Sequence, residues 1–388
     1  MKIAFVVQRY GLEVNGGAEA LCRLVAEHLS KYFDIEVITT CAIDYMTWKN
    51  EYVPGKTDVN GITTWRFPVD APRDIKRFNQ LSEFVFQNPH TRDDEITWMK
   101  FQGPYSTPLL EHINNNENNY DFFIFFTYLY CTTFFGLPLV KDKAILVPTA
   151  HDEPPIYLSI FESVFTQPKA IIFSTEEEKN FIHAKFHNDF ITHSVTGVGI
   201  DIPKIIDPIS FSKKFGIESD DFIIYVGRVD TSKGCEELIS HFCRFKNETG
   251  SKSKLILLGK SNIRIPAHPD IVPLGFVSDQ DKFNAIKAAK LLVNSSPFES
   301  LSMVLLEAWL CKKAVLVNGN CQVLKQQCIK SNGGLWYTNY EEFKECLMLL
   351  LTDNQMRQDL GIQGKRYVIE NYSWDVIERK YLDLFKRL

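Results

Sequence analysis

The sequence contains no CxxC pair among its nine cysteines, which stand at 22, 41, 131, 235, 243, 311, 321, 328 and 346. That spacing argues against a zinc ribbon or a thioredoxin-like site. Scattered thiols, some inside apolar runs as at Cys22 and Cys346, suit small buried hydrophobes in a reducing compartment. An excess of basic charge is also missing: 43 Lys+Arg stand against 48 Asp+Glu, a formal net charge of -5. A general nucleic-acid binder would show a positive field, so no nucleic-acid partner is expected. Only five apolar residues separate Lys2 from Gln8, too few for a signal-peptide core. These absences favour a cytoplasmic location. The charge-free run at 122–140 is 19 residues long but is interrupted by Thr127, Thr132, Thr133, Gly136 and Pro138. It reads as a buried strand at 122–126 followed by a packed helix rather than a membrane span. No polybasic segment marks a membrane site, which leaves only a peripheral contact at the inner face of the plasma membrane to consider.

What is present is ordinary globular composition: 388 residues, 45% hydrophobic and 23% charged. That length suggests two or three domains, with enough apolar surface to order them. Apolar strands alternate with amphipathic helices. Strands are predicted at 2–7, 34–39, 62–67, 122–126, 144–147, 170–173 and 191–195, with a helix over 17–31. Residues 70–119 are a charged and Asn-rich excursion, expected to hold one or two helices and a flexible tip. Its aromatics, Phe78, Phe84, Phe86, Trp98, Phe101 and Tyr105, suit an acceptor groove, a membrane contact or plain core. The alternation then restarts with strands at 222–226, 254–258, 271–274, 291–294, 314–317 and 334–336, and a helix over 233–247. The chain ends in helices at 341–351, 354–371 and 374–387. Strand–helix alternation implies parallel sheets covered on both faces, here two doubly wound α/β halves. The segment 197–207 is the natural hinge. Ligands of such sheets bind beyond the carboxyl ends of the strands, and with two facing domains the cleft between them is the default site.

Three loops carry the chemistry. After the first strand, the loop 8–17 ends in Gly16-Gly17 at a helix start, where backbone N–H groups can approach an anion. It does not match GxGxxG, so an NAD-type oxidoreductase is poorly supported. A glycine-rich turn without a ligand is the alternative. The second half opens with Gly227-Arg228-Val229-Asp230-Thr231-Ser232-Lys233-Gly234. This is not a P-loop, but a guanidinium fork and an ammonium beside a helix start suit a diphosphate. The third is Glu299-Ser300-Leu301-Ser302, with Ser300 or Ser302 as N-cap of an almost wholly apolar helix. Glu307 on that helix is a buried carboxylate and needs partners, either sugar hydroxyls or a structural ion pair.

Together GGAE at 16–19, GRVDTSKG at 227–234, LGFVSD at 274–279, the pair Glu299/Glu307 and the ending Tyr372-Ser373-Trp374-Asp375 resemble the GT4 family of retaining glycosyltransferases (group 1) along nearly the whole chain. The resemblance implies a GT-B fold. One Rossmann-like domain would span 1–203, completed by a C-terminal helix at 373–388 that crosses back to it and serving the acceptor. The other would span 204–372 and hold a nucleotide-diphosphate sugar. It implies that Arg228 and Lys233 grip the diphosphate, Glu299 the transferred sugar and Glu307 the ribose. Gly227 would shape the phosphate loop, Gly275, Phe276 and Val277 would line the base, and Gly16 and Gly17 would approach from the other domain. His151 resembles the family's active-site histidine, with Asp152 to orient it; a packed or capping histidine is the plain alternative. Catalytic roles thus fall on Glu299, His151, Arg228 and Lys233. Two departures stand out: Ser300-Leu301-Ser302 where relatives carry glycines, and NGNCQVLKQQC at 318–328 where relatives often carry Gly-Gly-Ile-Pro-Glu.

The implied activity is a metal-independent, retaining sugar transfer to a glycan or lipid-linked glycan acceptor in bacterial cell-surface polysaccharide or glycolipid synthesis, with no cofactor beyond the donor. Asp279-Gln280-Asp281 is better read as the N-cap of a helix over 282–289 than as a metal site. His183 and His187 share a helix face, but no third ligand is evident. A nucleotide-sugar 2-epimerase on the same fold and a non-catalytic nucleotide-sugar-binding subunit are the competing readings.

Overall fold

Strand β1 (Lys2–Val6) is buried from Ile3 onward, as a strand covered on both faces must be. It opens a chain whose computed structural model describes residues 1–14, 16–217 and 222–388; the loop position Asn15 lies outside the described residues. Contacts divide the described chain into two units, 1–198 with 377–388, and 199–376.

In the first unit β1 is followed by α1 (Gly17–Leu29), β2 (Asp34–Thr40), β3 (Gly55–Val59), β4 (Ile62–Phe67), α2 (Ile75–Gln87), α3 (Arg92–Gln102) and α4 (Thr107–Asn115). Then come β5 (Phe122–Phe126), α5 (Cys131–Gly136), β6 (Ala144–Val147), α6 (Glu162–Thr166), β7 (Ala170–Phe173), α7 (Glu176–Phe186) and β8 (Thr192–Val195). The eight strands run in the order β3-β4-β2-β1-β5-β6-β7-β8. All neighbours are parallel except β3 and β4. The edge strand β3 has too little apolar sequence to stand out. The Asn60-Gly61 turn makes it, with φ of 52° and 82°, the double positive φ that a tight hairpin needs.

The excursion at 70–119 corrects the expected one or two helices with a flexible tip. It holds three capped helices, and the Asn-rich stretch is the end of α4 plus a 3-10 turn at Glu117–Asn119. Asp74 accepts from the Arg77 N–H, Thr91 and Asp94 form a capping box, and Ser106 accepts from the Leu109 N–H. Each cap satisfies orphan donors that would otherwise fray the helix. Trp98 is core, and the charge-free run at 122–140 is β5, α5 and a 3-10 segment. Among the described residues no helix is long and apolar enough to cross a membrane.

The second unit comprises α8 (Pro208–Phe215), β9 (Phe222–Val226), α9 (Cys235–Thr249), β10 (Lys254–Leu258), β11 (Ile271–Gly275), α10 (Asp279–Ala288), β12 (Leu291–Asn294), α11 (Met303–Leu310) and β13 (Ala314–Asn318). It continues with α12 (Gln322–Ser331), β14 (Gly334–Tyr337), α13 (Tyr340–Thr352) and α14 (Asn354–Tyr372). Its six strands run β11-β10-β9-β12-β13-β14, every pair parallel. The order steps outward from β9 in both directions, so the loops after β9 and β12 are neighbours at the carboxyl edge, the switch point of a doubly wound sheet.

The last helix, α15 (Trp374–Phe385), begins in the second unit, where Trp374 donates to Asp201 Oδ1 (2.8 Å). Its ring covers Gly199 so closely that a Cβ there would lie 2.5 Å from it. Residues 377–388 belong to the first unit, where Glu378 takes Lys31 Nζ at 2.8 Å and the Tyr32 hydroxyl at 3.0 Å. All nine cysteines are free; Cys346 is only partly buried, while Cys22 is fully so.

Candidate active site

In the second unit two loops are clamped together at the carboxyl edge. The first follows β9: Gly227 to Gly234, with a 3-10 turn at Thr231–Lys233. The second follows β12: Ser295 to Ser302. Gly234 has φ +67°, and a Cβ there would fall 2.3 Å from the Ser295 carbonyl oxygen, so both conformation and space demand glycine. Ser295 Oγ donates to the Lys233 carbonyl at 2.9 Å. Asn318 Nδ2 donates to the Ser295 carbonyl at 3.1 Å, and Asn294 Nδ2 to Ser302 Oγ at 2.9 Å. Gly227 is likewise fixed, at φ +145° with its carbonyl under Gly259, where a Cβ on Gly259 would meet it at 1.9 Å.

This clamp brings Lys233 and Glu299 together: Nζ donates to Oε1 at 2.9 Å. Arg228 stands at the same edge, its guanidinium 3.4 Å from Asp230 Oδ2 and 40% of its side chain exposed. Ser300 and Leu301 are partly exposed beside Glu299, and Ser302 is buried. Ser302 occupies the N-cap position of α11, but its hydroxyl receives Asn294 instead of capping the helix. The expected serine thus stands at the N-cap, as Ser302, with its hydroxyl holding Asn294 and making no side-chain cap bond.

Glu307, on α11, is 5% exposed. Its Oε1 accepts from Lys282 Nζ at 2.7 Å, and its Oε2 is buried with no hydrogen-bond partner among the described residues. Burial pushes its carboxyl above the usual range, an effect the Lys282 ammonium only partly offsets. The structural ion pair therefore exists, and it leaves one acceptor oxygen over. The sequence did not reveal Lys282, because the partner lies 25 residues upstream on a different helix. Gly275 closes the edge strand β11 at φ +67°, followed by the 69% exposed Phe276 and the partly buried Val277.

The Asp-Gln-Asp segment is also corrected. The N-cap of α10 is Ser278, which accepts from the Asp281 N–H, while Asp281 pairs with Lys214 at 2.7 Å. His183 Nδ1 meets Asn188 and His187 ends α7 in the left-handed conformation. Among the described residues no group of three or more His, Cys, Asp or Glu is placed to share a metal ion.

In the first unit, Gly16 precedes α1 in extended backbone (φ 169°), and Gly17 opens the helix with free space where a side chain would stand. A Cβ on Gly16 would fall 2.0 Å from Glu19 Oε2. Glu19 is buried and accepts from Gln8 Nε2 (2.9 Å) and from Arg9 Nε (2.8 Å) and Nη2. The GGAE glutamate thus anchors its own loop. His151 follows β6 and is partly buried. The expected role of Asp152 is corrected: Asp152 accepts the Tyr157 hydroxyl at 2.7 Å, and the carboxylate beside His151 Nδ1 is Glu153, at 3.4 Å. Glu153 in turn accepts the buried Tyr128 hydroxyl at 2.8 Å. Behind this loop, the buried Glu178 receives the Ala150 and Ser174 N–H groups, each at 2.6 Å. The Thr175-x-x-Glu178 spacing is a capping-box pattern, the signal in the sequence that marks this carboxylate.

With this geometry in place, the likeness to known proteins can be set beside it. Residues 209–367 match the family described as glycosyl transferases group 1. Those residues resemble a group 1 glycosyltransferase domain. An uncharacterized glycosyltransferase of Methanocaldococcus jannaschii is 24% identical to this chain over all of it and 98% of the relative. Sucrose-phosphate synthase from Thermosynechococcus elongatus has a similar structure, with a TM-score of 0.75 at 14% identity, over 100% of this chain and 98% of that one. Anabaena HepE in complex with UDP and glucose gives a TM-score of 0.73 at 14% identity with both chains fully covered. The two parallel-sheet units have the GT-B fold. Both clamped loops and Glu307 fall within the matched residues.

Proposed function

We propose that the protein is a retaining glycosyltransferase that takes a nucleotide-diphosphate sugar as donor and passes the sugar to a hydroxyl of a glycan or lipid-linked glycan. The observation that carries this reading is the clamped pair of loops, which sets Lys233, Glu299 and Arg228 at one sheet edge while the buried Glu307 keeps a vacant acceptor oxygen. Ribose hydroxyls are donors of the kind Oε2 lacks. Glu299 and Lys233 neutralise each other without a ligand. A donor exchanges that contact for sugar hydroxyls on the carboxylate and diphosphate oxygens on the ammonium. HepE bound to UDP-glucose makes a uridine donor the first to try.

The reaction expels a nucleoside diphosphate, so negative charge grows on phosphate oxygens. Arg228 and Lys233 stand preorganised to stabilise it, which removes the need for a protein-held metal in the proposed route. Retention follows a front-face path in which the departing phosphate accepts the acceptor's proton. His151, backed by Glu153, is the candidate catalytic group of the first unit. Gly275–Val277 supplies the base-lining segment, with Gly16 and Gly17 as first-unit backbone contacts to the donor. A cytoplasmic setting and cell-surface polysaccharide or glycolipid assembly complete the proposal.

The test is a donor screen on purified protein without added metal, using UDP-glucose, UDP-galactose, UDP-N-acetylglucosamine, GDP-mannose and dTDP-rhamnose. Thermal stabilisation scales as RT ln(1 + [L]/Kd), so a true donor stands out. One donor should stabilise the wild type and lose that effect in Glu299→Ala. No stabilisation by any nucleotide sugar refutes the assignment, and a changed sugar with no acceptor present would point to an epimerase.

A further inference from the structure

The first unit has a second built feature, away from the His151 loop. A crevice of about 200 Å³ opens between the loop after β4 and the end of α3. Its walls include Arg73, Lys100, Phe101 and Tyr105, with Trp48 at its base and Asp70 and Asp74 on the rim. None of these residues belongs to the donor loops.

Arg73 is the unusual member. It is partly buried, and its guanidinium is held entirely by neutral oxygens. Nε and Nη2 donate to the Gln102 carbonyl, Nη1 to the Tyr45 carbonyl at 3.2 Å and Nη2 to Gln102 Oε1 at 2.9 Å. Its faces meet Trp48 at 5.0 Å and Phe78 at 4.6 Å. Among the described residues no carboxylate lies within ion-pair distance of it. Buried charges are normally paired, and a guanidinium has five N–H donors, so one Nη1 hydrogen is left over. Burial lowers its pKa to about 10, the direction expected of a cation short of counter-charge. Lys100 stands at the rim with its ammonium over Tyr105 (5.6 Å) and is likewise without an ion pair among the described residues. The two rim carboxylates are occupied differently. Asp70 accepts from the Thr107 N–H and hydroxyl, and Asp74 caps α2.

We infer that this crevice is a subsite for a monosaccharide unit carrying an anionic group, a phosphate or a carboxylate, on the acceptor. Arg73 and Lys100 supply the missing counter-charge relation, the Phe101 and Tyr105 rings give the apolar faces on which a sugar ring lies, and the rim carboxylates can accept its hydroxyls. The inference rests on the glycosyl-transfer reading for the word acceptor. The crevice is joined to the glycine loop through Trp48, whose ring also lies 5.9 Å from Arg9, the partner of Glu19.

Glucose 6-phosphate, glucuronate, glucose and inorganic phosphate, at equal concentration and ionic strength, test it by calorimetry on the full chain. Glucose 6-phosphate or glucuronate should bind, and whichever does identifies the anion. Glucose and inorganic phosphate should bind at least tenfold more weakly. Lys100→Glu, a surface change that preserves folding, should weaken the anionic sugar about tenfold or more. Arg73→Lys should also weaken it, because it keeps the charge and loses the fork. Lys76→Glu, exposed on α2 outside the crevice, controls for net charge. The inference is overturned if neither anionic sugar binds better than glucose, if inorganic phosphate binds as well as the sugar phosphate, or if Lys76→Glu matches Lys100→Glu. Nucleotide-sugar binding on the same samples separates the two proposals. A donor that binds while no anionic sugar does sinks only the subsite, and the reverse sinks only the transfer reading.

Discussion

Replacing Lys282 by Met isolates the buried carboxylate of Glu307. In the native protein Lys282 Nζ lies 2.7 Å from Glu307 Oε1, and Glu307 is 5% exposed. Removing one member of a buried pair costs about 3–5 kcal/mol when the other stays charged. Glu307 need not stay charged. Burial already holds its pKa high, and without the ammonium it rises further, so the carboxyl takes up a proton instead. The sign follows directly. A carboxyl whose folded pKa is raised keeps its full stability below its unfolded value of about 4.3, and loses it as pH climbs through the folded value. The deficit of Lys282→Met against wild type should therefore be small near pH 5. It should grow by up to about 1.4 kcal/mol per pH unit, or about 2.7 kcal/mol by pH 7, until the variant's own pKa is passed. Thermal unfolding of both proteins at pH 5, 6, 7 and 8 measures this, with Lys282→Met/Glu307→Gln as the companion. The double variant should recover much of the neutral-pH loss. A deficit that is flat with pH, or a double variant as unstable as the single, would show that Glu307 reaches water when Lys282 is gone.

Gly234→Ala combines φ +67° with a Cβ 2.3 Å from the Ser295 carbonyl. It should lose about 2–4 kcal/mol of stability together with donor binding, read by denaturation and a donor thermal shift. On the proposed function, Arg228→Ala would remove a charge-assisted contact to the leaving diphosphate, worth about 1.5–3 kcal/mol, and should slow transfer about ten- to hundredfold; an unchanged rate would remove Arg228 from the mechanism. Glu378 is held below the usual carboxylate range: burial acts to raise it, but Lys31, Tyr32 and His28 outweigh that. Its stabilisation is therefore present above about pH 4.3 and lost as pH falls through the folded value. Glu378→Gln should destabilise by about 1–2 kcal/mol at pH 7, with the difference vanishing in acid. Protease sensitivity of the last helix across that range checks it.

Runs such as Phe122–Phe126 and Leu291–Asn294 announce themselves because a doubly covered strand must be apolar along its length. Gly-bearing loops after strands likewise mark the carboxyl edge, since the local backbone there needs glycine whatever the rest of the chain does. The hairpin strand β3 escaped because its partner, not its composition, makes it a strand. Glu153, not Asp152, stands beside His151 because adjacent residues in a loop differ only in where the backbone aims them. Three helices instead of one or two filled 70–119 because their caps, not their hydrophobic period, decide where they begin.

The sequence by itself determined the alternation of strand and helix, the two parallel sheets and the loops that bear Arg228, Lys233 and Glu299, because periodicity and local conformational preference are properties of neighbouring residues. Only the tertiary structure decided that Lys233 meets Glu299, that Lys282 rather than a ligand alone supports Glu307, that Glu153 backs His151, and that Arg73 is partly buried with no carboxylate of the described residues within ion-pair distance. Those facts depend on groups far apart in the chain. Burial and charge are set by what the fold brings within a few ångströms, which no local pattern encodes.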